Sequence, residues 1–149
     1  MIMACFYDDY WRLNQLSSWP LRHIAEKNQA LIKPYLAGMI RYLEEPRHDA
    51  VLRNTMAIFQ FVNIPEDITG EVYERAFEYL TDIKKPTAVR AFSVTVLQNI
   101  SDHYPELKNE LIAELELQGN HGTVGFKSRV KNALKYLRLK TIDQKQNIL

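Results

Sequence analysis

The chain has 149 residues, 46% of them hydrophobic and 25% charged, with a formal net charge of +1. That composition excludes a disordered chain, and the balanced charge excludes a molecule whose overall field would gather nucleic acid or anionic membrane. A chain of this length is ordinarily one domain that buries about two-thirds of its unfolded surface.

Taken in order, the apolar patterns are helical throughout. A first helix is expected over residues 3–16, rich in aromatics (Phe6, Tyr7, Tyr10, Trp11). Ser18 is the candidate N-cap of a second, 19–33. A third, 34–45, puts Leu36, Met39, Ile40 and Leu43 on one face, and a fourth covers 48–63, capped by residues around Asp49. The fifth, 69–82, turns Val72, Ala76, Phe77 and Leu80 inward and carries Glu71 near its positive end.

The sixth helix follows Pro86 and has the clearest face: Val89, Ser93, Val96, Leu97 and Ile100 stand at i, i+4, i+7, i+8 and i+11. Those offsets line one side of a helix and no side of a strand. Pro86 suits a first turn, where a missing N–H costs nothing. The seventh, 105–118, repeats the third: Pro105, Leu107 and Leu111 match Pro34, Leu36 and Ile40. After the loop 119–125 comes an eighth, 126–140, then a polar tail, 141–149, expected to fray. The expectation is a single all-α domain over residues 1–140, of about eight helices.

The prolines and arginines expose a repeat. Pro20, Pro46 and Pro86 precede helices carrying Leu21-Arg22, Leu52-Arg53 and Val89-Arg90, while Pro34, Pro65 and Pro105 follow them. On this reading no proline lies inside a helix. Arg129 opens a fourth, looser copy. The successive intervals from Arg22 through Arg53 and Arg90 to Arg129 are 31, 37 and 39 residues, the range of two-helix repeats. An Asp in the preceding turn (Asp82), then Val89-Arg90, a small residue three on, Leu97 and Ile100 resembles the second helix of a HEAT repeat.

Over residues 19–138 the chain resembles HEAT and armadillo-like repeat proteins. The resemblance implies a right-handed α-solenoid of about four antiparallel helix pairs. It also implies an adaptor or scaffold, since proteins of that family mostly serve as such. The other copies lack the upstream Asp, having Asn14, Glu45 and His121 at the matching position, so no continuous Asp–Arg ladder is expected.

Arg22, Arg53, Arg90 and Arg129 recur at one phase, and stacking would bring them into a row. Such residues usually organise the stack by bonding a neighbouring turn or helix end, and Asp82 joins them in that role; the sharper alternative is a row of cations for phosphates. The last helix carries Lys127, Arg129, Lys131 and Lys135 with no acid between Gly119 and Lys140, next to a seventh helix rich in Glu. A polar outer face for a solenoid end explains this, against an anion or nucleic-acid patch. The glycines of the loop 119–125 lack the GxxxxGK[ST] spacing of a phosphate loop and suit helix ends and a sharp turn.

No constellation combines nucleophile, base and oxyanion donor, and His23, His48, His103 and His121 are scattered singly without metal-ligand spacing. Neither catalysis, cofactor nor metal is therefore expected. Alkylpurine DNA glycosylases of HEAT-like fold resemble the chain in fold alone. The Ser-rich signature loop of the adenylosuccinate lyase superfamily is absent. The expected function is a protein or peptide partner held in a concave groove lined by the second helices, with His23, Glu26, Lys27, Asn54, Thr95, Gln98 and Asn99 turned to it. A nucleic-acid or phosphate module using the basic last helix is the alternative. The lone Cys5, the lack of a signal-peptide pattern and the lack of a membrane-length apolar run point to the cytoplasm.

Overall fold

The computed structural model describes residues 1–148. All regular structure among them is helical: α1 (Ile2–Phe6), α2 (Trp11–Lys27), α3 (Gln29–Ile32), α4 (Leu36–Arg41), α5 (Asp49–Phe59), α6 (Glu66–Thr81), α7 (Thr87–His103), α8 (Lys108–Gln118) and α9 (Val124–Gln146). Short 3₁₀ turns flank α4 and precede α8. The second helices α2, α5, α7 and α9 pack side by side as one layer. The helices α4, α6 and α8 touch in turn to form the other, and α1 leans on α2. This is the two-layer stack of an α-solenoid.

The core runs between the layers. Val89, Ser93, Val96, Leu97 and Ile100 are all buried, so the face read from their spacing is the face that packs. Arg41 reaches across from α4 to α6 with two bonds to the Glu71 carboxylate, at 3.2 and 3.0 Å. That hydrogen-bonded charge holds the Glu71 carboxyl below its usual range.

Several boundaries differ from expectation, each for a local reason. The aromatic first helix stops at Phe6 because Asp8 Oδ1 accepts from the Tyr10 N–H at 2.8 Å, an Asx turn that ends one helix and leads into the next. Pro20 lies inside α2 instead of preceding a helix. Asn14, Ser17, Leu21 and Ala25 are buried at i, i+3, i+7 and i+11, and burying that stripe outweighs the N–H lost at Pro20. Ser18 is consequently no N-cap; its hydroxyl donates back to the Gln15 carbonyl at 2.7 Å. The cap expected around Asp49 is His48, its Nδ1 accepting from the Ala50 N–H at 3.1 Å.

At the far end α9 is helical through Gln146, so the segment expected to fray is largely helix, with Leu149 outside the described residues. Thr123 Oγ1 caps α9 by accepting from the Phe126 N–H. Gly122 before it has φ 112°, and a Cβ there would also meet the Phe126 ring at 2.9 Å. Only glycine makes that turn.

Candidate functional site

Three of the second helices, α2, α5 and α7, meet at a recess of about 260 Å³. Its walls are Gln15, Ser18, Trp19 and Arg22 from α2, Arg53, Asn54 and Ala57 from α5, and Phe92 from α7. Trp19 is 75% exposed and stacks on the His23 ring, with centroids 6.2 Å apart and planes 13° apart. An indole left this open on a polar helix face is the sort of rigid amphipathic surface that binding partners cover.

Cations and aromatic rings alternate along the layer. The Arg22 guanidinium lies 5.0 Å from the Phe61 ring and pairs with Glu26 at 3.3 Å. Arg53 forms no ion pair among the described residues. Arg129 donates to Thr95 Oγ1 at 2.7 Å and sits 5.9 Å from the Phe92 ring.

Arg90 stands apart from that row. It is 5% exposed, donates from Nε to the Leu80 carbonyl at 3.1 Å and from Nη2 to Gln118 Oε1 at 2.6 Å, and lies 4.3 Å from the Phe126 ring. Burial pulls its pKa down, an effect the Asp82 charge opposes. It ties the last turn of α6 to the end of α8 and the start of α9. The four arginines therefore do not form one row. Recurrence along the chain does not give the same place in the stack, because Arg90 closes the first turn of its helix while Arg22 lies past the middle of α2. Asp82 itself accepts from the Lys84 N–H at 2.9 Å, shaping the α6–α7 turn.

Of the residues expected in the groove, Asn54 borders the recess and the others do not line it. His23, Glu26 and Lys27 are exposed on the last turns of α2. Asn54 is 8% exposed, and its Nδ2 donates to Asn14 Oδ1 at 2.9 Å, while Asn14 Nδ2 donates to the Phe6 carbonyl at 2.8 Å. The expected solvent-facing Asn54 is thus a buried link from α5 through α2 to α1. Thr95 is half-buried under Arg129, and Gln98 is half-buried. Asn99 donates to the Gln60 carbonyl at 3.1 Å and lines a separate cavity of about 650 Å³ with Asp102, His103 and Tyr104.

The basic patch divides in the same way. Lys127, Lys131 and Lys135 line a trough against α8, while Arg129 faces α7. Trp19 and Phe92 escaped the sequence reading because large apolar side chains on an amphipathic helix default to core. The available signal was the position of Trp19, four residues from Gln15 and three from Arg22, on the polar side of α2.

No helix of the described residues is long and apolar enough to cross a membrane. A family model described as the HEAT repeat domain matches residues 2–137. Neither the curated proteins nor the solved structures contain a match to the chain.

Proposed function

The chain belongs to the HEAT repeat domain family, and from that premise we propose that it is a non-enzymatic scaffold or adaptor holding a polypeptide partner on the face of α2, α5 and α7. The carrying observation is the recess between three successive second helices, with the exposed Trp19 beside Arg22 and Arg53. Trp and Arg are the residues that most often dominate interface energies, and here they flank a concavity that a side chain can fill. The fitting occupant is an extended or helical segment that sets an apolar side chain on Trp19 and offers a carboxylate or carbonyl to Arg53. The cytoplasmic setting expected from the single Cys5 is part of this proposal.

The alternative, nucleic acid on the last helix, lacks exposed rings there for bases to stack on. Phe126 is fully buried, and Tyr136 is half-buried with its hydroxyl donating to Asp102 Oδ2 at 2.6 Å.

Peptides selected from a displayed library against the immobilised protein should bind Trp19→Ala and Arg53→Glu about tenfold or more weakly than the parent chain. Both variants should unfold at nearly the parent temperature, because neither side chain is part of the core. Selected peptides that bind these variants normally but fail on Arg75→Glu, on the other layer, would move the site there and overturn the proposal.

A further inference from the structure

The far end of the molecule carries a second surface of different character. Along α9, Lys127, Lys131, Lys135 and Arg138 stand at offsets of four, eight and eleven, one flank for three turns, or roughly 16 Å. Beside them runs an apolar trough of about 600 Å³ between α8 and α9, floored by Leu115, Val130 and Leu134 and continued by Leu139 and Ile142. Leu139 and Ile142 are 55% and 52% exposed, so this apolar line is open to solvent.

The charge around the trough is one-sided. Glu116 is the sole acid lining it, and it is engaged by Arg138. Lys127, Lys131 and Lys135 enter no ion pair among the described residues. From Val124 to Ile142 the helix has no acid at all. A polar outer face would serve solubility alone, but solubility does not require cations of one sign set along an open apolar line.

We propose that this trough docks an amphipathic helix whose apolar stripe fills the floor and whose acidic flank lies along the lysines. The trough follows the axis of α9 between two helices, which is the shape that accepts a third helix through residues at i, i+3, i+4 and i+7. It offers no exposed aromatic ring, which leaves nucleic acid without a stacking surface. The proposal is independent of the reading of the opposite end, around Trp19.

The test uses the full chain and a labelled synthetic helix of about five turns, with Leu on one stripe and Glu on the adjoining flank. A scrambled peptide of the same composition and a version with Lys for Glu serve as comparisons, read by fluorescence anisotropy. The acidic helix should bind, and the two comparison peptides should bind about tenfold or more weakly. Lys131→Glu/Lys135→Glu and, separately, Leu139→Asp should each weaken the acidic helix by a similar factor, while Trp19→Ala leaves it unchanged. Equal binding of the scrambled peptide would reduce the surface to general charge attraction and overturn the proposal. Saturable binding of phosphatidylserine vesicles or duplex DNA, lost in the lysine variant while the acidic helix fails to bind, would also overturn it.

Discussion

By spacing alone Asn54 belongs with the polar residues beside Arg53, yet its amide is enclosed where α5 crosses α2. Together Asn14 and Asn54 carry a chain of hydrogen bonds from α5 to the Phe6 carbonyl, and a buried amide is tolerated only when its partners are in place. Asn54→Ala should therefore cost about 1–3 kcal/mol, because it strands Asn14 Oδ1 away from water. Asn14→Ala should cost a similar amount, and the double substitution should cost less than the two singles added, as expected of side chains that share one bond. Urea unfolding of the three variants measures this. Strict additivity would mean that the pair is not coupled. Arg90 makes the same point with a charge: its guanidinium is buried because a carbonyl, an amide oxygen and a ring face meet it from three helices.

At the scale of elements, α2 is the informative case. A proline inside a helix removes one N–H and crowds the carbonyl four residues earlier, here that of Leu16. The side chain of Leu16 is 72% exposed, so water can reach that turn. Ser17 and Ser18 donate to the Asn14 and Gln15 carbonyls in the same turn, a back-bonding pattern that accommodates bends in helices. Replacing Pro20 with Ala should restore the missing donor and stabilise the chain, by about 1–3 kcal/mol if the helix relaxes fully. Chemical denaturation reads this directly, and a loss of stability would show that Pro20 is needed to seat α2 on both α1 and α5.

At the scale of the whole molecule, ionisation of the tyrosines reports on how the layers close. Burial pushes Tyr73 and Tyr79 far above the ordinary phenol value, and Tyr7 is raised for the same reason. Tyr136 is raised first by its hydrogen bond to Asp102. All four hold their protons more tightly folded than unfolded, so above pH ~10 the folded chain binds more protons than the unfolded one. Their contribution is complete below that pH and is lost as pH climbs through the raised values. The urea midpoint should accordingly be nearly level from about pH 7 to 9 and fall steeply beyond about pH 10. Phenolate absorbance should rise in two stages, the buried rings ionising only with unfolding. A single stage centred near pH ~10, with the fold intact, would mean that these rings are solvated.

What the sequence determined by itself is periodic and local. The spacing of Val89, Ser93, Val96, Leu97 and Ile100 places one face of α7 in the core, and the recurring Arg–Pro punctuation, Pro20 excepted, marks second helices that pack as one layer. Helical period acts within a few residues, so it can be read without a neighbour, whereas the backbone demand of Pro20 gave way to burial of the α2 stripe. What only the tertiary structure decided is which way each helix turns about its own axis and which polar groups find partners. Arg22, Arg53, Arg90 and Arg129 look equivalent along the chain, yet one is enclosed by three helices while the others are partly or fully exposed. Asn54 reads as surface until Asn14 is seen opposite it, forty residues away. Trp19 is left open because α2 buries the side of its surface that carries Ser17 and Ser18 instead. Rotation and burial are set by the summed packing of all the helices, and no window of one chain carries that sum.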